Sequence, residues 1–147
     1  MVSRPKPGTR AEYTAFSIIT TRWLDNDMYG HMNNAVHYQL FDTAVNGHLI
    51  EKGILDLKSS ETVFLVVETG CVYFGELAFP DVVHAGIRVA RLGGSSVHYE
   101  IGLFRNDEDT AAAEGRFVHV NVDRVTRRPV VIADETRGVL EALVKAG

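Results

Sequence analysis

The chain has a single cysteine, Cys71, in 147 residues, so it cannot form an intrachain disulfide. No apolar run is long enough to cross a bilayer. The opening MVSRPKPGTR lacks the apolar core of a signal peptide and reads as a loose tail over residues 1–10. Positive charge is not in excess: 15 Lys and Arg face 19 Asp and Glu, for a net charge of −4. That balance argues against general nucleic-acid binding, and any anionic ligand must meet a local basic patch. The histidines at 31, 37, 48, 84, 98 and 119 show no H-E-x-x-H spacing, so no metal site is expected. Ser95 follows Gly93-Gly94, but GGSSV lacks the second glycine of a nucleophile elbow, which excludes a serine triad. Cys71 lies in an apolar strand and reads as inert core rather than a nucleophile. These absences point to a cytoplasmic protein that binds neither membrane nor nucleic acid.

What is present fits one globular domain over residues 1–147, with 46% hydrophobic and 23% charged residues. TAFSIITTRWL closes a β-branched and aromatic run over 11–24, expected to be a strand. From Asn34 to about Lys52, Val36, Leu40, Phe41, Ala44, Val45 and Leu49 recur at spacings of three and four. This predicts a long, mostly buried helix with Gly53 as its C-terminal cap; His37 and His48 belong to its surface or core. After a connection at 54–61, the pattern turns to strands at 62–74, 82–92, 96–104 and 110–122. In Ser96–Phe104, Val97, Tyr99, Ile101 and Leu103 share one face. The joining segments 75–81, 93–94 and 105–109 read as turns, which predicts that successive strands are antiparallel neighbours. Arg124–Pro129 is turn-like, and Asp134 or Thr136 caps a short final helix ending near Lys145. The order of elements gives an α+β fold, a helix covering one face of an antiparallel sheet.

The stretch with the most chemistry is WLDNDMYGHMNNAVH, Trp23 to His37. Asp25 and Asp27 precede a turn at Gly30, and Asn33 or Asn34 suits a helix cap. The helix that follows aims its free N–H groups and positive dipole end back at the loop. A carboxylate beside such donors is half of an acyl-transfer site: the carboxylate attacks or activates water, and the N–H groups hold the oxyanion. Residue chemistry alone leaves Asp27 evenly divided between catalyst and loop cap. Asp25 reads as structural, and His31 as a base or a side chain bonded to backbone.

DNDMYGHMNN resembles the D-x-D-x-x-G-H-x-N-N signature of hotdog-fold thioesterases of the 4-hydroxybenzoyl-CoA thioesterase family. ARLGGSS at 90–96, FPD at 79–81 and RRPVVIADE at 127–135 fall in the matching order, so the likeness runs over roughly residues 12–145. It implies a hotdog fold, with a long buried helix wrapped by a five-stranded antiparallel sheet, and a homodimer or homotetramer with active sites between subunits. It implies hydrolysis of an acyl-CoA thioester without a cofactor. Asp27 then matches the catalytic carboxylate and the Asn34 N–H the oxyanion donor, with Glu68 or Thr69 as a further side chain near the thioester. The G-H-x-N-N loop departs from that of the benzoyl-specific enzymes, which leaves an aromatic substrate open.

The basic residues Arg88, Arg91, Arg124, Arg127 and Arg128, with Ser95 and Ser96 of the paired-serine turn, are the candidates to meet CoA phosphates. A non-catalytic acyl-CoA or fatty-acyl binding domain on the same fold is the alternative, and a hydratase the weaker third. Asp27 separates the first two, since a binding module has no need of a carboxylate aimed at a helix N-terminus.

Overall fold

A computed structural model describes residues 5–56 and 60–144 of the chain. The apolar run after the signature loop forms helix α1, Val36–Glu51, about 24 Å long at 1.5 Å per residue. His37, Leu40, Phe41, Ala44, Val45 and Leu49 form its buried stripe. Burying each large aliphatic or aromatic side chain contributes roughly 1.5–3 kcal/mol. Gly53 ends the helix at φ 73°, with its N–H donated to the Ile50 carbonyl.

Five strands form one antiparallel sheet: β1 (Ala15–Thr20), β2 (Thr62–Tyr73), β3 (Val82–Leu92), β4 (Ser96–Arg105) and β5 (Ala113–Asp123). A second helix, α2 (Asp134–Glu141), follows the sheet. The expected end of that helix at Lys145, residues 57–59 of the connection and the first four residues of the tail lie outside the described residues.

The sheet order is β1-β3-β4-β5-β2, which corrects the expectation that every successive pair of strands are neighbours. β3, β4 and β5 do follow one another as hairpins. β2 pairs with β5 instead of β3, and β3 takes β1 on its other side. The segment between Tyr73 and Val82 therefore crosses three strand spacings, about 14 Å, and the side chain of Leu77 within it is buried. A segment that buries a side chain in the core can span the sheet, so its turn-like composition did not fix a hairpin.

One face of the sheet packs on α1. Val97, Tyr99, Ile101 and Leu103 of β4 lie there together with Phe41 and Leu49. The approach is closest at Gly115, where a Cβ would run into the Phe41 ring. A β-bulge between Val66 and Glu68 shifts β2 by one residue, so that Thr69, Cys71 and Tyr73 face the helix and Glu68 faces away.

The remaining differences are local. The strand expected over 11–24 is regular only at Ala15–Thr20, with single 3₁₀ turns at Arg10–Glu12 and Trp23–Asp25. The second of these turns forms because Asp25 takes the Arg22 backbone N–H on its carboxylate. The stretch from Gly8 onward is packed rather than loose. Gly8 N–H donates to Glu114 Oε1 at 2.5 Å, Ala111 N–H to the Gly8 carbonyl, and the buried Tyr13 donates its hydroxyl to Glu114 Oε2 at 2.9 Å. Neither Asp134 nor Thr136 caps α2. Ala133 precedes the helix with no side-chain cap, and Asp134 and Glu135 occupy the first turn, where the dipole favours acidic groups.

Candidate active site

Residues 25–33 fold into a small hairpin. Asp27 N–H donates to the His31 carbonyl at 2.9 Å, Asn26 bridges Met32, and Asn33 N–H donates to the Asp25 carbonyl at 2.9 Å. Gly30 turns the tip at φ 85°, a backbone angle that costs glycine nothing and other residues strain. The hairpin rests on the β2–β3 crossover: Met32 N–H donates to the Leu77 carbonyl, and Asn26 Oδ1 accepts the Phe79 N–H.

The two aspartates divide the work. Asp25 is buried, with Oδ2 accepting the Arg22 N–H at 2.8 Å and Oδ1 accepting Arg22 Nη2 at 2.8 Å. Asp27 keeps a fifth of its side chain open to solvent (21%). Its Oδ1 accepts the Tyr29 N–H at 2.9 Å, and its Oδ2 stands 3.7 Å from His31 Nδ1. The His31 ring is also 3.3 Å from the Met32 carbonyl through the same nitrogen. Around this tip Trp23, Leu24, Met28 and Tyr29 are 75–89% exposed, a concentration of apolar surface on one loop.

The helix begins two residues after Asn34, and its cap position is Ala35, which carries no side-chain cap. Asn33 supplies part of the missing cap. Its Oδ1 accepts the Ala35 N–H and its carbonyl accepts the Val36 N–H, both at 2.9 Å. The Asn34 carbonyl accepts the Tyr73 hydroxyl at 2.7 Å and lies 3.2 Å from His37 Nδ1. Burial pushes the pKa of His37 down, against the pull of the Asn34 and Asn33 carbonyls. The Asn34 N–H itself has no partner among the described residues. It is a donor at the positive end of α1, and it leaves the same hairpin that carries Asp27.

The other sequence candidates lie elsewhere on the protomer. Glu68 is on the outer face, paired with Arg116 at 3.1 Å. Thr69 is on the helix face with its hydroxyl donated to the Arg116 carbonyl at 2.8 Å, about 13 Å along β2 from Tyr73. Arg88 is committed to the outer face: Nε donates to Glu100 Oε1 at 2.9 Å, Nη1 donates to the Glu12 carbonyl, and the guanidinium lies 4.7 Å over the Tyr13 ring. Arg91, Ser95 and Ser96 sit at the β3–β4 turn. That turn is pinned by Arg137 Nη2, which donates to the Gly93 and Gly94 carbonyls.

Arg124, Arg127 and Arg128 lie in the loop beyond β5, where Arg124 Nη1 donates to the Ser60 carbonyl. The side chains of Arg91, Arg127 and Arg128 have no partner among the described residues. All of these groups stand at the end of the sheet opposite the crossover on which the Asp27 hairpin rests; Val82 and Arg91, near the two ends of β3, are about 30 Å apart along the strand.

Cys71 is half-buried, and burial pushes its thiol up to about 11, which removes it as a nucleophile at neutral pH. Among the described residues no group of three His, Cys, Asp or Glu could hold a metal ion, and no helix is long and apolar enough to cross a membrane. Sequence reading missed Tyr73, Leu77 and Asn26. Tyr73 comes from the sheet edge and Leu77 from the crossover, and Asn26, within the hairpin, reaches the crossover at Phe79; no local pattern signals such contacts.

The sequence profile of the thioesterase-like superfamily matches residues 21–142. Among solved structures, the chain is similar to the PA5185 protein of Pseudomonas aeruginosa strain PAO1, with 51% identity and a TM-score of 0.93 over 97% of this chain and 99% of that one. It shares its fold with SAV2348 of Staphylococcus aureus, solved in complex with CoA, at 18% identity and a TM-score of 0.78 over 95% and 86% of the two chains. It also shares it with DHNA-CoA thioesterase of Staphylococcus aureus, at 16% identity and a TM-score of 0.76 over 87% of each.

Proposed function

The chain belongs to the thioesterase-like superfamily, and from that footing we propose that it hydrolyses an acyl-CoA thioester to the free acid and CoA. The observation that carries the reading is a part-exposed Asp27 carboxylate in the hairpin, followed directly after the hairpin by the Asn34 N–H, which has no partner among the described residues, at the approach to α1. The thioester carbonyl oxygen takes the Asn34 N–H, which stabilises the negative charge as the carbonyl becomes tetrahedral. Asp27 either attacks the carbonyl carbon, giving a mixed anhydride that water then hydrolyses, or removes a proton from the attacking water. In both routes the C–S bond breaks and CoA leaves as the thiol. His31, 3.7 Å from Asp27 Oδ2, orients the carboxylate. Support for CoA as carrier comes from SAV2348, solved with CoA, and from the substrate named for DHNA-CoA thioesterase.

The separation of the cations from Asp27 has a solution in a dimer. β2 is an edge strand whose Leu65, Val66 and Val67 are 38–60% exposed, and an open apolar edge is a template for another strand. If β2 pairs antiparallel with β2 of a second copy, the Tyr73 end of one strand meets the Thr62 end of the other. The partner's Arg127 and the partner's Arg128 then approach the hairpin that carries Asp27, on the side where the CoA phosphates leave the thioester.

The deciding experiment is free-thiol release from a panel of acyl-CoAs that vary in chain length and aromaticity. Thiol release above background identifies the hydrolase and its acyl group. Tight binding across the panel without release sinks the hydrolase in favour of an acyl-CoA binding domain.

A further inference from the structure

The start of α1 is braced from the edge of the sheet by a residue far away in sequence. We propose that Tyr73 is a positioning residue for hydrolysis: by donating its hydroxyl to the Asn34 carbonyl, it fixes the backbone that carries the Asn34 N–H. The inference rests on the hydrolase reading above and adds a residue from β2 to it.

The Asn34–Ala35 peptide is held on both sides. Its carbonyl takes the Tyr73 hydroxyl at 2.7 Å and lies 3.2 Å from His37 Nδ1, while its N–H donates to Asn33 Oδ1 at 2.9 Å. Two peptides earlier, the Asn33 N–H is tied to the Asp25 carbonyl at 2.9 Å. The Asn34 N–H therefore lies between two anchored groups, and planar peptides leave it little freedom to turn. An oxyanion donor acts by being oriented before the charge develops, and small misplacements are costly. The helix has no side-chain cap at Ala35, so the peptide that opens it is held in place by these partners.

The chemistry of Tyr73 suits this role. Burial, Cys71 and Tyr38 push its pKa up, so the hydroxyl remains a donor over the working pH range. Its ring separately packs edge-on against His37, with centroids 4.7 Å apart. Phenylalanine keeps that ring contact and removes only the hydroxyl.

The test is Tyr73→Phe in the full chain, on the acyl-CoA the wild type turns over best. Two non-hydrolysable probes accompany it: an S-alkyl-CoA thioether, and an acyl-CoA analogue with a trifluoromethyl ketone at the thioester position, whose tetrahedral hydrate mimics the transition state. The expected result is a fall in kcat of about ten- to a hundredfold with KM within about twofold. Thioether affinity is unchanged, and trifluoromethyl-ketone affinity falls in step with kcat/KM. Asn33→Ala, which frees the other side of the same peptide, gives the same pattern, while Asn33→Asp, which keeps an acceptor for the Ala35 N–H, restores most of the rate.

An active wild type with an unaltered Tyr73→Phe rate overturns the role of Tyr73 alone. So does equal weakening of both probes, since general damage to the fold does not separate ground from transition state. A wild type that releases no thiol from any acyl-CoA overturns the hydrolase reading and this inference with it.

Discussion

Asp25 and Asp27 stand two residues apart and meet opposite surroundings: Asp25 is buried under the Arg22 N–H and guanidinium, while Asp27 is part-open beside His31. Substitutions at the two positions should therefore fail in different ways. Asp27→Asn keeps the acceptor for the Tyr29 N–H and loses the charge. It is expected to fold, bind acyl-CoA and lose at least about a hundredfold in kcat, the scale of general-base catalysis. Asp25→Ala leaves the Arg22 N–H without its acceptor and should cost about 1–3 kcal/mol of stability in urea denaturation. Near-normal turnover by Asp27→Asn would show that the carboxylate mechanism is wrong. Single turnover in labelled water tests direct attack: an unlabelled aspartate oxygen in the first product acid shows an anhydride opened by water at the aspartyl carbon, whereas label in the acid follows from base catalysis or from water attack at the acyl carbon of the anhydride.

The unpaired cations predict a binding phenotype. Charge reversal at Arg91, or at Arg127 with Arg128, should raise KM far more than it lowers kcat, because contacts to the nucleotide are equal in ground and transition states. The KM effect should shrink with added salt. Arg88→Glu should behave differently. It breaks the Glu100 pair and the Tyr13 contact, so thermal stability falls and KM is spared. If KM and its salt dependence ignore the first set of changes, CoA phosphates bind elsewhere.

The open β2 edge predicts association. Light scattering at micromolar concentration should give a dimer or a multiple of one. Val66→Lys with Val67→Lys puts charge on the edge strand, a device that blocks strand pairing, and should give a folded monomer with little thioesterase activity. A wild-type monomer, or a fully active monomeric variant, removes the shared site.

Packing at Gly115 predicts a stability cost without a chemical one. A Cβ there meets the Phe41 ring, so Gly115→Ala should destabilise by about 1–3 kcal/mol through overpacking. Phe41→Leu in the same chain should recover part of that loss, and a double-mutant cycle by urea denaturation measures the coupling. Strict additivity would mean that helix and sheet do not touch at this point.

His119 predicts a slope of stability with pH. It is buried among Phe64, Tyr99 and Phe117, with Nδ1 unpartnered among the described residues, and burial lowers its pKa from 6.5 to about 4. The unfolded chain binds this proton more readily, so its contribution to stability is complete above pH 6.5. It is lost progressively as pH falls from 6.5 to about 4. His37 and His48 are shifted the same way by burial, so the test is a difference: His119→Phe should flatten the slope in that window relative to wild type. Identical slopes would place the acid sensitivity elsewhere.

Much of this protein is determined by local sequence. The period of the run after Asn34 specifies α1 and its buried face, because a helix brings every third and fourth residue onto one side. Alternation in Ser96–Phe104 specifies which side chains meet that helix, and Gly53 marks where α1 stops. The signature loop declared its chemistry through residue types at fixed spacing, and the likeness to hotdog thioesterases agrees with the superfamily match over residues 21–142. The tertiary structure alone decided the strand order, the bulge that turns Glu68 outward and Thr69 inward, and the Tyr73 contact to Asn34. It also decided which arginines are already engaged. Each of these depends on contacts between residues distant in the chain, and strand partnership is set by which pairing buries the most apolar surface around α1. Propensity and periodicity act within a few residues and carry no record of that choice.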